Sequence, residues 1–330
     1  MGEIVLSNCK LWVGAHDMSG KLNAIALNDA PDMLDNTTFG HTAKSRKKGL
    51  EVVTADLEGI WEAEPDKYFS NLGLFHITGA ATGGSTIALI DINTDFKSKG
   101  IVIGSTVINI TDNGQTQAAG VTSITTTTNP NDTLNFAALS NSADFAAGGD
   151  SYEVIVSAGV PMTIAPEPTI GGPAYGFLSQ NVEYVWGGSV GELGKFSVKS
   201  ETVGTKMVRG HILENGATAR TVTANGTAFN LGVVGATKYL YGAIHVIAAA
   251  TEVGDTLAVI IESDDVENFG GTPSTRITFT TALGNGGLTY QWATPVAGEI
   301  TDTWWRTGWT IVDAGGDNAS FTFMVFMGIA

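Results

Sequence analysis

Five histidines, His16, His41, His76, His211 and His245, are the side chains of this 330-residue sequence best suited to bind a metal or carry a proton. None forms a His-x-x-x-His pair or stands at ligand spacing from a carboxylate. His245 falls in an apolar run, where a satisfied, partly buried imidazole is the ordinary outcome. Cys9 is the only cysteine, so the sequence holds no internal disulfide and no Cys-rich zinc site, and no neighbour in sequence would lower its pKa. Acidic pairs occur at Asp91 with Asp95 and at Asp264-Asp265 with Glu267. Glycoside hydrolysis needs two carboxylates opposed across a cleft, which spacing alone does not supply. The Asp264 group follows a strand-like run and precedes Gly270-Gly271, which favours solvated turn residues, and it lacks the ligand spacing of a calcium loop. There is no Gly-x-Ser-x-Gly elbow, phosphate loop or dinucleotide fingerprint. The expectation is a protein with no catalytic set, no metal and no cofactor, and therefore not an enzyme.

Two further stretches suit binding. Trp304-Trp305-Arg306-Thr307-Gly308-Trp309 is the most aromatic segment. In a strand Trp305 and Trp309 share one face, while Trp304 and Arg306 share the other. The first pair is expected in a core. Trp304 beside Arg306 could contact a sugar or stack as a cation–π pair, and packing is favoured. Lys44-Ser45-Arg46-Lys47-Lys48 is the only basic cluster. It is either a solvated loop or, in a polymer of acidic subunits, a contact with a neighbour's acidic surface.

The elements that must position these residues are strands. Val, Ile, Thr, Tyr, Phe and Trp recur in segments of about period two over 221–229, 239–247, 256–262, 275–280, 303–312 and 321–328, separated mostly by polar turns. The run 101–110 leads into Asp112-Asn113-Gly114, a hairpin signal, because Asn-Gly supplies the positive φ angles of a tight turn. One short helix is expected over 64–73, with Pro65 at its first turn and Gly73 as its stop. Charged residues are only 15% of the chain, and 17 basic against 33 acidic residues leave a net charge of −16, which argues against nucleic-acid binding. No apolar run is long enough to span a membrane, so no membrane insertion is expected. Composition shifts divide the chain: 1–75 together with 158–212 as one β-domain, 76–157 as a Thr- and Gly-rich inserted module, and 213–330 as a C-terminal β-sandwich domain. The fold class is all-β.

The first of these regions resembles the major tail (tail tube) proteins of long, non-contractile-tailed bacteriophages. The residues that carry the resemblance are 5–13, Leu22-Asn23-Ala24-Ile25-Ala26-Leu27, Leu34-Asp35-Asn36-Thr37-Thr38-Phe39-Gly40 and 49–61, then Tyr175-Gly176-Phe177-Leu178, Glu183-Tyr184 and 190–198. The order of these segments, more than any one motif, makes the likeness. The inserted region separately resembles a small all-β module of phage virion proteins, through Leu89-Ile90-Asp91, Asp95-Phe96, Gly100, Val102, Gly104, Val107, Asn109, Thr111-Asp112-Asn113-Gly114, Val121 and Tyr152. Thr301–Arg306 is similar to C-terminal segments of some tail proteins.

The resemblance implies a tail-tube β-sandwich or barrel with a short helix, carrying a barrel-like insert and a C-terminal sandwich. It implies a homo-oligomer of hexameric rings stacked into a tube in the virion tail, made in the host bacterial cytoplasm. Other tail proteins would be partners and viral DNA a passing, non-specific cargo. It also implies an assembly loop, to which Asn36, Phe39, Lys44, Arg46, Lys47 and Lys48 belong. Alternation along 51–61 sets Asp56 and Glu58 on one face, which in such a tube would lie towards the lumen or a subunit seam. The alternative reading is a decoration or adhesin protein that binds host glycan through Trp304 and Arg306.

Overall fold

A computed structural model describes residues 8–35, 46–62, 76–92, 94, 96, 101, 105–110, 117–128, 131–139, 145, 149–155, 159–250, 255–279, 281–283, 289–316 and 318–330. The protein is all-β, as its period-two patterning predicts, and no helix occurs among the described residues. The helix expected over 64–73 lies outside them.

Strands of alternating polarity must cover one face, and here they do so in three sheets. The twelve-stranded sheet runs from His16–Asp17 and Lys10–Val13 through Val160–Ala165, Pro173–Gly187, Val208–Asn215, Ser320–Ile329 and Tyr239–Ala250 to Thr289–Trp292. A branch leaves it at Pro173–Gly187, whose first residues pair with Val208–Asn215 and whose later residues pair with Lys195–Thr202. Lys195–Thr202 in turn pairs with Arg46–Ile60, and Arg46–Ile60 with Leu22–Asp35. Val160–Ala165 is buried at all six positions because it is covered on both sides. Met162 and Ile164 join the core of Leu11, Leu57, Phe177 and Phe196, while Ala165 belongs to a second core with Trp12 and Phe326.

The large sheet crosses position 213: Val208–Asn215 is hydrogen-bonded to Ser320–Ile329, and Ser320–Ile329 to Tyr239–Ala250. Above this part lies a six-stranded sheet centred on Trp304–Val312 and Thr256–Asp264. The apolar faces of the two layers interdigitate, Trp305, Trp309, Val259 and Ile261 meeting Phe321, Phe323, Val325 and Ile244. One expected strand is different in the structure. Residues 221–229 form two short pieces, Ala224–Asn225 and Phe229–Asn230, each on Trp304–Val312. Between them the Gly226 amide turns to donate to the Thr307 carbonyl at 2.7 Å.

Strands within 76–155 form a seven-stranded sheet with its own core of Leu89, Phe96, Val107, Val121, Leu134, Phe136, Phe145, Tyr152 and Val154. The Asn113-Gly114 turn lies outside the described residues, but the strands on either side of it, Thr106–Asn109 and Gln117–Thr128, pair antiparallel. The module's first and last strands, His76–Ala80 and Ser151–Ile155, also pair, so His76 stands opposite Ile155 and the insert enters and leaves at one place.

Candidate assembly surfaces

Of the residues expected to mediate assembly, Arg46, Lys47, Lys48, Asp56 and Glu58 belong to one antiparallel strand pair, Leu22–Asp35 with Arg46–Ile60. Its inner half is anchored. Residues 54–60 pair with Lys195–Thr202, and the Val53 amide donates to Thr202 Oγ1 at 3.2 Å. Val53, Ala55 and Leu57 are buried, and Ile25 and Leu27 of the facing strand pack on the same core. Gly59 is required by close approach: a Cβ there would lie 2.3 Å from the Lys21 carbonyl and 2.6 Å from the Phe196 ring. Past Val53 the pairing continues without a third strand among the described residues, through Pro31↔Glu51 to Asp35↔Arg46. Five residue pairs, from Ala30↔Val52 to Asp35↔Arg46, thus form a two-stranded arm roughly 20 Å long. Leu22–Asp35 is an edge strand, and Pro31 suits that position because it has no amide to donate; the register shifts beside it, between Pro31 and Met33.

Arg46, Lys47 and Lys48 lie in the outer part of this arm, paired with Asp35, Leu34 and Met33. Asn36, Phe39 and Lys44 fall outside the described residues. Asp56 and Glu58 are exposed, on the face opposite Ala55 and Leu57, and stand across from Ala26 and Ala24 of the edge strand. Their neighbours on the other side are Lys199 and Ser197.

A second surface is not apparent from the sequence. Where the branch ends, Trp61 and Trp186 meet with ring centroids 6.2 Å apart, and both are exposed, at 40% and 67%. Val190 and Leu193, in the turn joining Pro173–Gly187 to Lys195–Thr202, are exposed, and the Trp61 amide donates to the carbonyl of Gly194 at the end of that turn. Trp186 pairs with Phe196, which is buried, so the aromatic pair continues the core face beyond the core's edge. Sequence spacing could have placed Trp186 on that face through Tyr184, but the approach of Trp61 depends on the pairing of three separate strands.

Trp304 and Arg306, the alternative glycan contacts, sit in a crowded polar region. Arg306 Nε donates to Glu262 at 2.6 Å and its guanidinium lies 3.9 Å from the centre of the Phe269 ring. Trp304 is half-buried, whereas Trp305 and Trp309 are buried, as the alternation predicts. Nearby, Asp302 accepts from Ser263 and Arg276, and these contacts hold its carboxyl below the usual range. Asp265 shares a hydrogen bond with the Asp264 carboxyl, which pushes its own pKa up. Glu267 is exposed in the following turn. Among the described residues no group of three or more His, Cys, Asp or Glu side chains is placed to hold a metal ion.

His245 is buried. Its Nδ1 donates to the Gly14 carbonyl and its Nε2 lies 3.0 Å from Thr163 Oγ1, and desolvation pushes its pKa down to about 4. Gly14 adopts φ +56° in the tight turn between Lys10–Val13 and His16–Asp17, which turns its carbonyl to the imidazole. Asp91 is buried in the insert and accepts from Tyr152 Oη at 2.7 Å, while Asp95 lies outside the described residues. Burial raises the Cys9 thiol pKa, which makes it a poor nucleophile.

The fold defines a class: an all-β protein with an inserted β-module and a two-stranded arm extending from the edge of its main sheet. No family model matches the chain, and no curated protein matches it. Among solved structures it is similar to the Dit (gp 19.1) protein of phage SPP1, described as a paradigm of the hub adsorption apparatus in phages infecting Gram-positive hosts. The TM-score is 0.30 at 9% identity, over 98% of this chain and 99% of that one.

Proposed function

We propose that this chain is a structural protein of a bacteriophage virion that assembles with copies of itself into stacked rings forming the tail tube, through which DNA passes. The role is structural and not catalytic. The observation that carries the self-assembly reading is the arm. A two-stranded ribbon with no third strand is marginal in water and exposes one whole edge of hydrogen-bonding groups, so it is stabilised by docking on another surface. The arm belongs to the segment whose residues resemble tail-tube proteins, and it carries the only basic cluster of a chain of net charge −16. In this reading Asn36, Phe39, Lys44, Arg46, Lys47 and Lys48 mediate contact between subunits or rings. Asp56 and Glu58 lie towards the lumen or a subunit seam, where exposed carboxylates repel passing DNA. Contacts between unlike surfaces that close by rotation make rings, and their stacking makes a filament.

The test is deletion of residues 41–48. The expected product is folded, with an unchanged far-ultraviolet circular dichroism spectrum, and forms no tubes under the electron microscope. Normal tubes from the deletion would remove the arm from the assembly.

A further inference from the structure

At one margin of the core between the large sheet and the six-stranded sheet lies a pocket of about 210 Å³, lined by Arg209, His211 and Lys238 together with Leu231, Met327 and Ile329. We propose that this pocket binds the phosphate group of a small organic phosphate. The site is independent of self-assembly. Arg209 and His211, two residues apart on Val208–Asn215, share a face of the sheet. His211 stands opposite Met327 of Ser320–Ile329, and the strand beyond, Tyr239–Ala250, begins directly after Lys238. Three adjacent strands thus bring three basic side chains to one end of the sheet. The segment that carries Leu231 and Lys238 is fixed by its backbone. The Leu231 and Gly232 amides donate to the Thr303 carbonyl at 3.0 and 3.2 Å, and the Lys238 amide donates to the Gly235 carbonyl at 2.9 Å.

The lining selects an anion. No acidic residue lines the pocket, in a chain of 33 acidic and 17 basic residues. Arg209 and Lys238 are exposed, and among the described residues neither forms an ion pair, whereas Arg220, Arg276 and Arg306 each hold a carboxylate at 2.6–2.8 Å. Glu299, next to the Gly298 amide that donates to the Lys238 carbonyl, is exposed and is not part of the lining. His211 Nδ1 donates to the Gly171 carbonyl at 3.0 Å, which leaves Nε2 as the nitrogen that takes up a second proton. A phosphate brings close to two negative charges and three acceptor oxygens, enough for a guanidinium fork, an ammonium and an imidazolium together. A carboxylate brings one charge and two oxygens, one fewer than the basic groups present. Met327 is buried, and Leu231 and Ile329 are half-buried, so the apolar lining lies deeper than the cations and takes the carbon skeleton. The volume is below the ~300 Å³ at which sites for drug-sized ligands begin, which suits a phosphate on a short skeleton.

The experiment is isothermal titration calorimetry of the full-length protein with glycerol 3-phosphate, and separately with inorganic phosphate and with glycerol. Glycerol 3-phosphate should bind once per chain, inorganic phosphate should bind the same site more weakly, and glycerol should give no binding heat. Arg209→Gln and Lys238→Gln, both at exposed positions, should each weaken binding about tenfold, the loss of one charge-assisted hydrogen bond. The double variant should abolish binding with its circular dichroism spectrum unchanged. Arg209→Lys, which keeps the charge without the fork, should fall between wild type and Arg209→Gln. No binding of glycerol 3-phosphate up to about 20 mM, equal binding of glycerol, or binding that survives in the double variant overturns the proposal. Equal affinity for inorganic phosphate overturns the assignment of an organic ligand. If the double variant loses its circular dichroism spectrum, the proton resonances of the wild-type His211 ring decide: they should shift on addition of glycerol 3-phosphate, and unmoved resonances overturn the site.

Discussion

Trp305 and Trp309 show how far a single strand's alternation determines side-chain environment. Both are buried between two layers, and each indole N–H is satisfied by a carbonyl, Trp305 by Gly232 at 2.8 Å and Trp309 by Val222 at 2.9 Å. Trp305→Ala or Trp309→Ala should each cost about 3–5 kcal/mol in denaturant unfolding, through lost burial and a cavity. Trp304→Ala should cost less, and acrylamide should quench Trp304 fluorescence more readily than that of the other two. His245 makes a pH-dependent contribution. Its folded pKa of about 4 lies below the ordinary 6.5, so the unfolded chain binds the proton first as pH falls. The stabilisation is complete above about pH 6.5, declines as pH falls towards 4, and amounts to about 3 kcal/mol over that window. Unfolding free energies measured from pH 7 to 4 should show this slope, and His245→Gln should flatten it.

At the scale of elements, the sequence was informative wherever one strand's own pattern decides the outcome. The runs at 239–247, 256–262, 303–312 and 321–328 each match a strand of the structure to within a residue at the start, because β-branched and aromatic residues are concentrated there. The run at 221–229 did not, because Asn225-Gly226 breaks it and the Gly226 amide bonds sideways to Thr307. The hydrogen bonding of Val208–Asn215 to Ser320–Ile329 joins residues more than 100 positions apart, and no local pattern encodes it. The candidate surfaces divide in the same way. The basic cluster and the acidic face of Asp56 and Glu58 were legible as residue types at their spacing. The meeting of Trp61 and Trp186 was not, because it forms only when the branch strands pair. The insert supplies a prediction at this scale. His76 and Ile155 are paired neighbours, so replacing 76–157 with a short Gly-Ser bridge should leave the remaining cores intact. The shortened protein should unfold cooperatively and still form tubes; loss of tubes with the fold retained would make the module a structural part of the assembly.

For the whole molecule, low charge, glycine-rich β-structure and a long strand edge with no partner among the described residues suit a part that works by repetition. Each copy carries Arg46, Lys47 and Lys48 on the outer part of one long strand pair and the exposed Trp61–Trp186 pair at the anchored end of the same strands. In the proposed assembly, a net charge of −16 per copy opposes association until specific contacts overcome the repulsion. Such assembly is set by subunit concentration, and the form of the product distinguishes the two readings of the chain. The measurement that tests this most directly is negative-stain electron microscopy of the purified full-length protein over a range of concentrations. The account predicts hollow tubes of stacked rings with a regular axial repeat, appearing above a threshold concentration. Discrete particles at every concentration, together with binding on a glycan array, would contradict it.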